Sequence, residues 1–301
     1  MTAKVHPRVV VVTRPTEYEL LLQRHGTRDQ ARFFLKTRGQ SIDWAETRRE
    51  AQERALRAVS GAIPTEWRRT RVGRSDLDRF LFEPEDIVVI VGQDGLVANV
   101  AKYLDGQPVI GVNPNPQENP GVLVPHPPAA AAELLARTAA GRVEVVHRSM
   151  VEATLDDGLS LRALNEVFLG HRSHQSARYR IRWGKREERQ SSSGLIVATG
   201  TGATGWVLSV SRERLAAPEL PAPTEARLAY FVREAWPSPG TDTGLTEGLL
   251  EARDALEVIS EMGDGGVIFG DGVEADAVEF PWGARATVRL AAQTLALVVG
   301  P

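Results

Sequence analysis

The apolar positions of this chain change period from one half to the other. "RVVVVT" (Arg8–Thr13), "DIVVIVG" (residues 86–92) and "PVIGVN" (residues 108–113) are short unbroken apolar runs, the pattern of strands covered on both faces. Helical spacing lies around and between them. Residues 16–39 predict two helices parted near Gly26, and residues 45–62 put Ala51, Ala55, Leu56, Ala58, Val59 and Ala62 on one stripe. "LVANVAKYL" (residues 96–104) predicts another helix. Strands alternating with helices imply a parallel sheet clothed on both sides.

The proline-rich stretch "NPNPQENPGVLVPHPP" (residues 113–128) reads as the domain boundary. Past one Ala-rich helix, at about residues 129–142, the chain turns strand-rich. "VEVVHRSMVEATL", "RALNEVFLG", "SARYRIRW" and "SGLIVAT" follow in turn. Several alternate as half-buried antiparallel strands do, as in Tyr179-Arg-Ile181-Arg-Trp183. A Thr/Gly turn and one helix precede four more strands, "RLAYFVREAW", "GVIFGDG", "ATVRLAA" and "LALVV", with a Pro/Gly loop at residues 235–244. The expected fold class is α/β plus mostly β. A Rossmann-like α/β domain with a parallel sheet covers residues 1–125, and a β-rich, sandwich-like domain covers residues 126–301.

Composition narrows the chemistry. With 301 residues and 42% hydrophobic content there is ample core. Thirty-six basic residues against 39 acidic ones give a net charge of −3, which argues against nucleic acid as a partner. The absence of cysteine removes disulfides, thiolate nucleophiles and Cys-based zinc sites. No stretch predicts a signal peptide or a membrane span, so a soluble, cytoplasmic protein with no membrane partner is expected.

Two glycine turns carry the candidate chemistry. In "LIVATGTGATGWVLSV", Gly200-Thr-Gly202-Ala-Thr-Gly205 matches a dinucleotide fingerprint to the letter. A Rossmann dehydrogenase also needs a second parallel strand and an acid about 20 residues on that grips a ribose hydroxyl. Here the chain runs instead into "AAPELPAPTEA". A purely structural turn is the plain alternative, but Thr199, Thr201 and Thr204, interleaved with the glycines, can present hydroxyls to a phosphate or a base edge. The second turn is Gly92-Gln93-Asp94-Gly95, between a buried strand and a helix, where open α/β sheets bind ligands. Its glycines admit close approach of a phosphate. Asp94 suits an acceptor hydroxyl or magnesium, or else merely caps the helix. His171 and His174 share a loop without nearby carboxylates, and read as polar surface or substrate contacts rather than metal ligands. Asp271, in "FGDG", reads as a hairpin turn, with a role at the acceptor site as the alternative.

Strand–GQDG–helix, then "GVN", "LNEVF" and "TGTGATGW", in that order, resemble the NAD kinase superfamily, whose signature is a GGDG turn, an Asn-Glu pair and a Thr/Gly loop. "RVVVVTRPTEYE", "PVIGVNPNPQENPGVL" and "SSGLIVATGTGATGW" resemble its mitochondrial-type branch, which has bacterial relatives labelled sugar kinases. The resemblance covers most of the chain to about Ser209. It implies ATP-dependent phosphoryl transfer, with magnesium carried by ATP, to a ribose-type hydroxyl such as the 2′-hydroxyl of NAD or NADH. It further implies a site in the cleft between the two domains of a homo-oligomer. By the same resemblance Asp94 is the base, and Gly92, Gln93, Gly95, Asn113, Thr199, Gly200, Thr201, Gly202 and Thr204 hold phosphate and nucleotide. Asn165 and Glu166 match the pair that contacts the acceptor, and His174, Trp206 and Asp271 are the further candidates for acceptor contact.

Three residues depart from the family pattern. Gln93 replaces a glycine and strains the turn if the position needs positive φ. Leu96 replaces a threonine, and Trp206 a tyrosine. Those changes leave a nucleoside, cyclitol or sugar open as the acceptor. They also leave open a nucleotide-binding module without catalysis. A lipid kinase, which shares the GGDG turn, lacks support because nothing reads as a membrane-docking stretch.

Overall fold

The computed structural model describes residues 6–300. The chain folds as two compact units, Met1–Val146 with Ala296–Pro301, and His147–Leu295.

The first unit is built on a parallel sheet. Its elements are β1 (Arg8–Thr13), α1 (Glu17–His25), α2 (Arg28–Lys36), α3 (Asp43–Ala62), β2 (Arg68–Gly73), β3 (Ile87–Val91), α4 (Asp94–Ala101), β4 (Pro108–Val112) and α5 (Ala131–Ala139). The strand order is β2-β1-β3-β4, and Ala296 and Leu297 extend it by pairing in parallel with β4. The unbroken apolar runs are buried on both faces as their pattern requires. On one face Val9, Val11, Val89, Val91 and Ile110 pack with Ala55, Val59 and Ile63 from the α3 side and with Leu134 and Leu135 of α5. Thr16 caps α1 in a reciprocal box with Glu19, and Gly26, at φ +79°, ends it.

The second unit is a pair of antiparallel sheets. Its strands are β5 (Glu144–Leu155), β6 (Ser160–Ala163), β7 (Glu166–His171), β8 (Ala177–Trp183), β9 (Arg186–Ser192), β10 (Leu195–Ala198), β11 (Leu228–Val232), β12 (Glu247–Leu250), β13 (Ala255–Ser260), β14 (Gly266–Gly270), β15 (Val273–Glu279) and β16 (Arg285–Gly300). Most of β5 and β16 belongs here, while the first residues of β5 and the last of β16 belong to the first unit. One sheet runs β12-β11-β10-β7-β14-β15; in the other, β9, β8, β13 and β16 are successive neighbours, with β5 beside β16 and β6 beside β5. Inward residues alternate along both, Tyr179, Ile181, Val258 and Val288 against Val167, Leu169, Val197 and Tyr230, and form one continuous core. The opposite face of the six-stranded sheet presents Phe168, Ile196, Ala198 and Phe231, which pack with Val207 of α6 (Trp206–Arg212).

The α/β-plus-β architecture matches the expected class. The boundary between the units falls at 146/147, whereas the sequence pattern places it at 125/126. The reason is α5, whose Ala131, Leu134 and Leu135 are buried in the core of the first unit. "RALNEVFLG", one strand by its pattern, is two. Leu164 and Asn165 leave the ladder, and the chain crosses from one sheet to the other there. "ATVRLAA" and "LALVV" form the single strand β16. No helix among the described residues is long and apolar enough to cross a membrane.

Candidate functional site

In the first unit the candidate residues gather at the carboxyl ends of β3 and β4. The Gly92 amide donates to the Val112 carbonyl at 3.0 Å, so the two strand ends stay in register into the turn. Gln52 of α3 is buried and donates to the last carbonyl of β3, Val91, at 2.8 Å. Gln93 then sits at φ −115°, ψ 165°. This is extended backbone open to any residue, and the strain expected of a side chain at a positive φ is absent. Leu96 is fully buried, so the position lacks a hydroxyl and contributes packing instead.

Asp94 is the first helical residue of α4 and makes no cap for its own helix. Its carboxylate accepts from the amides of Val122 at 3.1 Å and Leu123 at 2.8 Å, one on each oxygen. Those donors come from the proline-rich loop, which folds back over β4. Gly111 allows this, since a Cβ there would lie 2.0 Å from the Leu123 carbonyl oxygen. Gly121, at φ +73°, faces the Asn113 amide. Asn113 is buried and holds the same loop, donating to the Asn119 carbonyl at 2.9 Å and accepting from the Asn115 amide at 3.0 Å. Gly95 is exposed with open space where a side chain would stand.

In the second unit three motifs meet. The Thr199 amide donates to the Asn165 carbonyl, and the Thr199 hydroxyl donates to the Leu164 carbonyl at 2.5 Å. That hydroxyl also accepts from the amides of Thr201 and Gly202, so it shapes the loop from inside. The glycines are close-approach residues: a Cβ at Gly202 would lie 2.2 Å from the Asn165 carbonyl oxygen, and one at Gly200 2.0 Å from that of Ala222. The Thr201 hydroxyl is buried without a partner among the described residues, and Thr204 donates to the Thr201 carbonyl at 3.0 Å.

Asp271 and Gly272, at φ +54° and +65°, make the two-residue turn between β14 and β15. Both central residues in the left-handed region is the hairpin geometry expected of an Asp-Gly pair. Asp271 also accepts from the amides of Leu164 at 3.0 Å and Asn165 at 2.6 Å. These two bonds draw the chain out of the ladder beside the Asn-Glu pair. Glu166, only 9% exposed, has its carboxyl pushed up to about 7, chiefly by burial and secondarily by the charge of Asp271.

His174 and Trp206 stand elsewhere in this unit. They line a cleft of about 920 Å³ with Phe168, Phe269 and Arg233. Phe168 stacks on Trp206 at 5.9 Å, and the Arg233 guanidinium lies 5.2 Å from the Trp206 ring centre. Among the described residues no cluster of three or more carboxylate, imidazole or thiolate groups is placed to hold a metal ion.

The residues that sequence reasoning missed are those that hold the motifs: Arg14, Gln52, the amides of Val122 and Leu123, and the amides of Leu164 and Asn165. Backbone donors leave no trace in a sequence. Arg14, in "VTRPTEYE", lies within a segment that carries the family resemblance, but nothing local gives it a role.

No protein-family model matches the chain. It is similar to human mitochondrial NAD kinase 2, at 27% identity over 260 aligned positions that cover 68% of this chain and 58% of that protein. The NAD kinase of Psychrobacter arcticus is 34% identical over 132 positions, 41% of this chain and 40% of that protein. The chain thus spans less than two thirds of the length of these relatives. Its fold is that of yeast NADH kinase, solved with NADH, with a TM-score of 0.63 at 13% identity over 99% of this chain and 85% of that one. An Archaeoglobus fulgidus NAD kinase, solved with ATP, has a TM-score of 0.56 at 19% identity, covering 97% and 94%.

Proposed function

From the likeness in sequence and in fold to NAD kinases, we propose that the chain belongs to the NAD kinase superfamily and transfers the γ-phosphoryl group of ATP to a ribose-type hydroxyl, foremost the 2′-hydroxyl of NAD or NADH. The observation that carries this reading is the posture of Asp94: a carboxylate at the carboxyl end of β3, held by one amide on each oxygen. Each oxygen keeps a lone pair for a substrate hydroxyl. In the reaction the acceptor oxygen attacks the γ-phosphorus, the bond to the β-phosphate oxygen breaks, and ADP leaves. The hydroxyl proton passes to Asp94. A base so placed contributes on the order of 10²–10⁴-fold. The remainder is positioning and charge neutralisation, as phosphoryl transfer requires.

Gly92 and Gly95 then leave backbone room for donor phosphates. In the second unit Asn165 and Glu166 address the acceptor, with Asp271 setting their backbone. The Thr201 hydroxyl, buried and unbonded, has its hydrogen-bonding capacity left for a ligand. Magnesium carried by the nucleotide would supply charge neutralisation at the transferring phosphoryl group. His174 and Trp206 offer an aromatic and imidazole surface to a planar ring of the acceptor. A homo-oligomer is part of the same reading, and light scattering in solution tests it.

Gln93 favours a second reading, a nucleotide-binding module that does not turn over, because its side chain stands at the phosphate turn. The deciding experiment incubates the protein with ATP and magnesium over NAD, NADH, nucleosides, cyclitols and sugars, following ADP. Release with NAD or NADH supports the first reading, and release with another acceptor alone moves the substrate. Binding without release, and turnover restored by Gln93→Gly, supports the second.

A further inference from the structure

Arg14 follows directly on β1, at the same end of the parallel sheet as the GQDG turn. It is half-buried, yet no carboxylate among the described residues lies within ion-pair distance of it. Its hydrogen bond goes to a neutral group: Nη2 donates to Oε1 of Gln93 at 2.5 Å. The other cation nearby, Arg48, is committed to Glu118 at 2.8 Å and Glu17 at 3.7 Å. The two arginines, Gly92, Gln93, Asn115 and Asn119 line one small recess, together with Glu17, whose carboxylate pairs with Arg48. Its volume is about 50 Å³, room for roughly one or two water molecules. The Gln93 side chain fills the space next to the guanidinium. A half-buried guanidinium held by one neutral amide oxygen is poorly compensated, and an anionic oxygen would bond it about twice as strongly.

We propose that the Gln93 amide oxygen is a stand-in for a phosphoryl oxygen: it occupies Arg14 in the free protein and is displaced when the donor's phosphate chain enters the turn. Arg14 is then a phosphate-binding residue, and Gln93 a competitor that sets donor affinity. Displacement needs only a side-chain rotation, since the Gln93 backbone is extended and unstrained. The other bond of the Gln93 amide, from Nε2 to Asn119 Oδ1, is long at 3.5 Å and offers little resistance. This inference rests on reading the turn as the seat of the donor phosphates.

The test uses inorganic tripolyphosphate as the probe, with calorimetric titration of the wild-type chain, Arg14→Gln, Arg14→Lys, Gln93→Gly and the double variant. Thermal melting checks that each is folded. Arg14→Gln should weaken tripolyphosphate binding about tenfold or more, and raise the KM for ATP alike while the acceptor KM stays put. Arg14→Lys, which keeps the charge but not the fork, should fall between. Gln93→Gly should tighten binding severalfold, and should do nothing once Arg14 is gone. Unchanged affinity in Arg14→Gln, or weaker binding in Gln93→Gly, overturns the assignment. If wild type binds tripolyphosphate in this pattern yet releases no ADP with any acceptor, the kinase reading fails and the Arg14 site stands.

Discussion

Glu166→Gln isolates what the fold does to one carboxyl group. In the folded protein that carboxyl is buried at the first residue of β7 and raised from 4.5 to about 7, first by desolvation and then by Asp271. An unfolded chain returns it to the ordinary value. Below about pH 4.5 both states hold the proton and the group is indifferent to folding. As the pH climbs towards 7 the unfolded state ionises first, so the stability present in acid drains away, and the loss levels off above the folded value. A rise of that size is worth roughly 3 kcal/mol. Glutamine does not titrate, so the stability of Glu166→Gln minus that of wild type should grow by about 3 kcal/mol between pH 4 and pH 8. Other carboxylates titrate in both proteins and cancel in the difference. Urea unfolding at four or five pH values measures it, with the transition of the second unit followed separately should the two units unfold apart. A difference that stays flat across that range would refute the account of Glu166 as a desolvated carboxyl.

Three further outcomes follow from the geometry. Gly202→Ala drives a methyl to 2.2 Å from the Asn165 carbonyl oxygen, and overpacking of that kind costs about 1–3 kcal/mol, read as a lowered melting temperature. Since the obstacle is backbone of the Asn-Glu segment, its acceptor KM should rise as well. Gln52→Leu removes the donor to the Val91 carbonyl at the end of β3 and should cost about 1–3 kcal/mol in denaturant unfolding. Asp94→Asn should cut turnover about 100-fold or more while leaving ATP affinity within about twofold, measured by initial rates and calorimetry.

What is legible in the sequence is whatever burial writes into residue type. The runs at β1, β3 and β4 are apolar throughout because both faces are covered, and they read as strands. β2, "RRTRVG", and β9, "REERQSS", do not. Their burial is sparse and their residues mostly charged, so neither carries an apolar period of 2; sheet pairing alone makes them strands. At the site, the Gly, Thr, Asn, Glu and Asp positions are legible as types that turn chains or carry oxygen. Which hydroxyl faces inward is not. Thr199 and Thr201 are alike in sequence, yet the first is spent on Leu164 and the second is unbonded. Nor does "GQDG" reveal that Gln93 reaches Arg14, 79 residues earlier, since no local pattern joins them. The hairpin and the acceptor-site readings of Asp271 are compatible: its backbone makes the turn while its carboxylate fixes the segment before Glu166.

The central claim is that Asp94 receives the proton of an alcohol as ATP phosphorylates it. Its most direct measurement follows ADP and phosphorylated product together, by coupled assay and ³¹P NMR, with ATP, magnesium and NAD or NADH, for wild type and Asp94→Asn. The account predicts ADP and a 2′-phosphorylated dinucleotide in equal amounts, and a loss of about 100-fold or more in the variant with its nucleotide binding intact. Equal turnover by both proteins, or no phosphorylated product from any acceptor while ATP binds, would contradict it.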